Sequence, residues 1–296
     1  MRAALALVCV PLLGGCLAFH RGPMPGEPDK AVFAEIGDAR VRFTDVGEGP
    51  PVVMLHGFAS SLETWALVEP ALRKKHRVVT LDLLGFGWTD RPEGDYSPQA
   101  QARMVLALLD ERGIDRFALV GHSWGSSVAL AVALAAPERV ERIALYDAWV
   151  YEEQLPAFFL WSRAPYVGEA LFALFYDELP DVKIGNAFYD KSLVTETLVE
   201  EVELALSRPG TKAAALAAVR GQRYGEYERS YRLVDVPVLL LWGREDMVTP
   251  LWVGERLARE LPHARLEVFA RCGHFPMLEA APASTSRLAA FLGGDR

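Results

Sequence analysis

Short apolar runs that end at glycine-containing turns and then give way to helical patterns restrict this chain's fold more than anything else in it. Val52–Leu55, Val78–Leu81, Phe117–Val120, Ile143–Tyr146, Val238–Trp242 and Leu266–Phe269 are such runs. Runs of this length without polar alternation suit strands buried on both faces of a sheet. Leu62 to Lys75, Pro98 to Arg112, Trp124 to Ala136, Leu251 to Leu261 and Ser284 to Leu292 read as helices, with Ser97 as an N-cap for the second and Pro137 ending the third. Ala34–Ile36 and Val41–Val46 flank Gly37-Asp38 and read as a hairpin. Repeated β-α units imply a mainly parallel sheet with helices on both faces. The alternation breaks once. From Ala148 to about Val234 there is no strand pattern, only helical segments rich in aromatic residues.

A chain of 296 residues can bury a large core, either as one domain with an insertion or as two domains. Its formal net charge of −8, without any basic run, disfavours a nucleic-acid partner. No zinc-type Cys/His spacing occurs, and no cofactor or metal is expected.

The chemistry starts at Gly121-His122-Ser123-Trp124-Gly125, a G-x-S-x-G pattern between a strand and a helix. Glycines permit a tight turn that lifts the serine hydroxyl clear of the sheet, and the following helix N-terminus favours developing negative charge. His56-Gly57-Phe58 directly follows Val52–Leu55. Trp242-Gly243-Arg244-Glu245-Asp246-Met247-Val248-Thr249-Pro250 follows a strongly apolar strand, and Cys272-Gly273-His274-Phe275-Pro276 follows the last one.

These four segments together resemble the α/β-hydrolase superfamily, over about residues 32–293. The resemblance implies an α/β-hydrolase fold: a mostly parallel, twisted, eight-stranded sheet with helices on both faces and a helical cap inserted after the sixth strand. It divides the chain into a core of 32–147 and 235–296 and a cap of 148–234. It implies Ser123 as nucleophile, His274 as base and Asp246 as the acid orienting it, with the backbone N–H groups of Phe58 and Trp124 as oxyanion donors. The order Ser, Asp, His is the one this fold uses. His56 and His122 would then shape turns, Asp82 would be structural, Asp147 would be a rival to Asp246, and Cys272 a buried thiol.

The cap's first third holds Trp149, Tyr151, Phe158, Phe159, Trp161, Tyr166, Phe172, Phe175 and Tyr176. Most are expected in the cap's own core, with a few walling an apolar pocket. The expected reaction is therefore hydrolysis of an ester of a hydrophobic small molecule or acyl lipid. The same scaffold also serves amide hydrolysis, as in prolyl aminopeptidases, whose elbow resembles Gly121 to Ser126, as well as carbon–carbon bond hydrolysis and acyl transfer. A silent binding protein is the alternative outside enzymology. An aspartate would stand in place of Ser123 in dehalogenases and epoxide hydrolases.

Ala3 to Leu13 is apolar and too short to span a bilayer, for which a helix needs about 20 residues. It leads into Leu13-Gly14-Gly15-Cys16, which resembles the lipobox of bacterial lipoproteins. The resemblance implies a signal peptide over 1–15, lipid attachment at Cys16 and a proline- and glycine-rich tether over 16–31. It places the protein in the bacterial cell envelope, on the periplasmic face, and Leu17 in place of an aspartate points to the outer membrane. Lipidation at Cys16 and loss of Cys9 would leave Cys272 without a partner.

Overall fold

The computed structural model describes residues 17–294; the apolar leader and Cys16 lie outside the described residues. Eight strands form one sheet in the order β1-β2-β4-β3-β5-β6-β7-β8. The strands are β1 (Val32–Ile36), β2 (Ala39–Val46), β3 (Pro51–Leu55), β4 (Arg77–Leu81), β5 (Phe117–His122), β6 (Val140–Tyr146), β7 (Val238–Gly243) and β8 (Ala264–Phe269). β2 runs antiparallel to β1 and β4, and every other pairing is parallel. This is the α/β-hydrolase architecture.

The apolar runs are central because both their faces are covered. All six residues of β5 and all six of β7 are buried. Val53, Leu55, Leu119 and Leu240 face one cluster, with Val105, Leu108, Val128 and Val132 from the helices α2 (Pro98–Glu111) and α3 (Trp124–Ala135). Val52, Met54, Val120 and Leu241 face the opposite cluster, with Leu288 and Phe291. Successive side chains of a strand point to opposite faces, so an all-apolar strand needs a layer on each side.

The segment 62–75 departs from the single helix its pattern suggests. It forms one 3-10 turn, Leu62–Trp65, and a short helix α1 (Glu69–Leu72) with Pro70 in its first turn. Proline lacks the N–H that a longer helix would need at that position. The segment after Cys16 also differs from an exposed tether. His20 and Arg91 exchange backbone hydrogen bonds at 2.9 and 2.8 Å, Met24 is buried, and Phe19 stacks on Tyr96. The segment thus touches the core at Phe19, His20 and Met24, while Ala18, Pro23, Pro25, Pro28, Asp29 and Lys30 stay exposed.

Between β6 and β7 the described chain carries helices only: α4 (Ala157–Ser162), α5 (Val167–Phe175), α6 (Pro180–Ala187), α7 (Glu196–Ser207) and α8 (Thr211–Gly221), besides short 3-10 turns. Phe172 and Tyr176 stack with ring centroids 4.9 Å apart, and Phe158 packs on Phe172 at 5.3 Å. Trp161, Tyr166 and Phe175 face solvent instead of joining a cap core. After β7 come α9 (Leu251–Glu260), and after β8 α10 (Pro276–Glu279) and α11 (Ala281–Leu292). No helix among the described residues is long and apolar enough to cross a membrane.

Candidate active site

β3 and β5 lie side by side, yet the chain leaves β3 for one side of the sheet and β5 for the other. Such a reversal opens a crevice at the carboxyl ends of the strands, where open α/β sheets bind ligands. The loops after β3, β5, β7 and β8 converge there.

Ser123 sits between β5 and α3 with φ 52 and ψ −122, a backbone region that costs a non-glycine residue about 1–3 kcal/mol. Three hydrogen bonds hold it: Ser123 N–H donates to Tyr146 O at 2.9 Å, and Ser123 O accepts from Ser126 N–H at 2.9 Å and Trp149 N–H at 3.1 Å. The flanking glycines answer to close backbone packing. A Cβ on Gly125 would lie 2.4 Å from the carbonyl oxygens of both Leu55 and His56, and one on Gly121 would lie 2.7 Å from Gly125 O. The elbow is therefore pressed against the end of β3.

His274 Nδ1 and Asp246 Oδ2 are 2.7 Å apart and both residues are buried. The carboxylate accepts three more bonds: Val248 N–H at 2.7 Å and Thr249 N–H at 3.0 Å on Oδ1, and Thr249 Oγ1–H at 2.5 Å on Oδ2. Burial pushes Asp246 up, but His274 and the Thr249 donors outweigh it and hold the carboxyl below its ordinary range. With Nδ1–H spent on Asp246, Nε2 is the nitrogen left to take a proton.

The structure brings His274 and Asp246 into contact and links the elbow that carries Ser123 to the His274 loop through His122. The His122 and His274 rings are 4.8 Å apart, and His122 Nε2–H donates to His274 O at 2.9 Å. Ser123 Oγ makes no hydrogen bond to the imidazole among the described residues. Phe58 N–H and Trp124 N–H, at the turn after β3 and the first turn of α3, donate to no protein acceptor among the described residues.

The rival residues have structural work. His56 Nδ1–H donates to Gly57 O at 2.7 Å while Nε2 accepts from Leu83 N–H at 2.9 Å, and burial holds the ring neutral. Asp82 accepts from Leu62 N–H at 2.7 Å and Trp88 N–H at 2.8 Å, tying two loops together. Burial pushes the Cys272 thiol far above its ordinary value, which disfavours the thiolate that a nucleophile needs. Asp147, Asp246 and His274 are the one metal-like trio among the described residues. Within it, Asp246 Oδ2 and His274 Nδ1 are hydrogen-bonded to each other.

Two residues of the site carried no assignment from sequence. Thr249 clamps Asp246 from both its backbone and its hydroxyl; a threonine three residues after the aspartate is the signal for it. Glu279 accepts from Gly273 N–H at 2.8 Å and, through its other oxygen, from Tyr189 N–H at 2.8 Å and Asp190 N–H at 2.9 Å. It thereby ties the His274 loop to the cap.

Above the elbow, the Phe58 ring meets Phe86, Trp124, Phe159 and Tyr176 at centroid distances of 5.1, 6.0, 5.4 and 6.5 Å. A narrow cleft beside it is lined by Ala59, Ser60, Phe86, Arg91, Leu206 and Thr211. Arg91 is 1% exposed, and its Nη2 and Arg208 Nη1 both donate to Gly87 O, at 2.9 and 3.0 Å. Neither guanidinium has a carboxylate within ion-pair distance among the described residues, and Arg91 Nε has no partner. Burial and the neighbouring Arg208 pull Arg91 down to about 10. A larger cavity of about 710 Å³ lies away from Ser123, between Phe19, Tyr96, Leu216, Arg220 and Tyr227.

Sheet order, elbow and the His–Asp pair define a hydrolase of the α/β class. The alpha/beta hydrolase fold family matches residues 50–281, and the chain belongs to that family. It is 33% identical over 259 residues to a 2-hydroxy-6-oxo-2,4-heptadienoate hydrolase of Pseudomonas putida, covering 82% of this chain and 89% of that one. Among solved structures it is similar to a meta-cleavage product hydrolase, with TM-score 0.75, 29% identity and coverage of 88% and 97%. It is also similar to a thermophilic esterase from Thermogutta terrifontis, with TM-score 0.77, 25% identity and coverage of 89% and 98%.

Proposed function

We propose that the protein hydrolyses a carbon–carbon bond next to a ketone in a carboxylate-bearing, unsaturated substrate, using Ser123, His274 and Asp246. The observation that carries the catalytic part is the buried 2.7 Å bond between His274 and Asp246 beside the strained Ser123 turn. Ser123 Oγ attacks the keto carbon as His274 Nε2 takes the hydroxyl proton. The oxyanion forms against Phe58 N–H and Trp124 N–H; losing one such donor typically costs about 10²–10³ in kcat. The C–C bond breaks, the leaving carbon collects the proton from His274, and an acyl-serine remains. Water, deprotonated by His274, releases the acid. Asp246 stays ionised throughout and steadies the imidazolium.

The substrate part rests on similarity to the heptadienoate hydrolase and the meta-cleavage product hydrolase, and on the Arg91–Arg208 pair. Two guanidinium groups on one carbonyl oxygen, neither in a direct ion pair with an acid among the described residues, suit a substrate carboxylate. The ester expected from sequence becomes the second reading, favoured by the aromatic walls around Phe58 and the similarity to the esterase. Turnover of 2-hydroxy-6-oxo-hepta-2,4-dienoate beside a series of p-nitrophenyl esters ranks the two. Ser123→Ala should lower both activities by about 10⁴-fold or more while the melting temperature stays put. Retention of turnover in that variant would remove Ser123 from the mechanism.

We further propose that residues 1–15 are a lipoprotein signal and that Cys16 carries the lipid, placing the enzyme on a bacterial envelope membrane. The sequence Leu13-Gly14-Gly15-Cys16 supports this. Cell-expressed protein should partition into detergent, and Cys16→Ala should move it to the aqueous phase; equal partitioning would count against an anchor.

A further inference from the structure

Two carboxyl groups meet beneath the His274 imidazole, and the mechanism uses one of them. Asp147 follows β6 and Asp246 lies in the loop after β7, the neighbouring strand. One ligand atom from each of Asp147, Asp246 and His274 lies within 4.8 Å of the other two. Asp147 has no exposed surface and a φ of 43, fixed by its N–H donating to Leu241 O at 3.1 Å. Its Oδ1 accepts from Gly243 N–H at 2.9 Å, while Oδ2 is buried with no donor directed at it.

The titratable neighbours of Asp147 come from three parts of the fold. Tyr146 comes from β6, Asp246 from the loop after β7, and Cys272, His274 and Glu279 from the loop and helix after β8. Asp246 already holds one negative charge, fixed by four donors. A second carboxylate in the same dry space would be repelled by the first and would have one oxygen without a donor. A protonated carboxyl removes both costs, because it loses the charge and turns the orphaned oxygen into a donor.

We propose that Asp147 is a positioning residue that stays in its neutral acid form and donates its hydroxyl hydrogen to the Asp246 carboxylate. It braces that carboxylate against the imidazole and keeps the charge behind His274 at one. Burial, followed by the charge of Asp246, pushes the Asp147 carboxyl well above its ordinary range, in the direction this role requires. A second charge there would favour the imidazolium and leave less neutral His274 to act as a base.

The proposal rests on Asp246 and His274 being the acid–base pair, and its test has one arm that needs no turnover. Asp147→Asn keeps the shape, the neutrality and a donor. Its kcat/KM should stay within about threefold of the parent, and the acid limb of its pH–rate profile should not move. If Asp147 were ionised, the same change would remove a negative charge behind His274 and shift that limb down by about one unit, which would overturn the proposal. Asp147→Leu, which cannot donate, should lower kcat by about tenfold with KM unchanged; full kcat in that variant also overturns it. Independently of activity, the infrared difference between parent and Asp147→Asn at neutral pH should contain the C=O stretch of a protonated carboxyl. A carboxylate band in its place ends the proposal even if Ser123 proves to be the nucleophile.

Discussion

The core and the cap of this protein are built from similar residues, yet they hold them differently. In β5 and β7 every residue is buried, and the turns at their ends are fixed by backbone contacts too close for any side chain. In α5, Val167, Leu174 and Phe175 are exposed on a helix whose inner face buries Phe172. The core holds its turns by close backbone contacts; the cap brings apolar surface and a few tethers, among them Glu279 to the backbone of 189–190 and Arg208 to Gly87 O. Reacting groups need the first kind of support, because misplacement by about 1 Å can cost about 10²-fold in rate. Substrate walls can tolerate the second.

The largest way to break this contrast is to put a side chain where the core leaves no room. Gly125→Val would drive its Cβ into two carbonyl oxygens that lie 2.4 Å from that position. We expect a loss of about 3 kcal/mol or more by denaturant unfolding, with activity abolished. A variant as stable and active as the parent would mean that the elbow is not pressed against β3.

That rigidity is also why the core was legible in the sequence. Each apolar run and the glycine turn after it leaves a local mark, so the turns that carry Ser123, Asp246 and His274 could be placed after their strands. Strand ends moved by a few residues: β6 begins at Val140 and β8 at Ala264, where the charged residues Glu141, Arg142 and Arg265 hide the start. The cap was legible only as a strandless, aromatic stretch. Whether Trp161 or Phe172 faces inward depends on how five short helices meet, and nothing in the local pattern encodes that. Thr249 lay in plain view three residues after Asp246, but Glu279 and the Arg91–Arg208 pair act through partners distant in the chain, which the local pattern does not show. In residues 17–31 the contacts of His20 and Met24 with Arg91 left no mark in the local pattern, whereas Pro23, Pro25 and Pro28 are exposed.

A smaller effect is expected where cap and core meet. Arg208→Gln removes one guanidinium above Gly87 O and its stacking, 3.6 Å over Trp88, while leaving the buried Arg91 in place. For a dienoate substrate KM should rise by about tenfold, the equivalent of one charge-assisted hydrogen bond, with kcat little changed. For uncharged p-nitrophenyl acetate both constants should hold. Equal losses on the two substrates would make Arg208 a clamp for the cap and nothing more.

The smallest effect belongs to the outer face of the cap, and it sharpens the comparison by what it fails to do. Trp161 is 64% exposed and Tyr166 79%, so neither has much buried area to lose. Trp161→Ser and Tyr166→Ser should each change stability by no more than about 0.5 kcal/mol, the usual range for surface positions. Phe172→Ser, on the buried side of α5, should cost about 3 kcal/mol or more, since it removes a ring stacked on Tyr176 and leaves a hydroxyl in its place. Urea unfolding of the three variants in parallel reads the difference. Equal costs for Trp161 and Phe172 would show that something covers the cap's outer face in solution, and the cap would then be as tightly packed as the core.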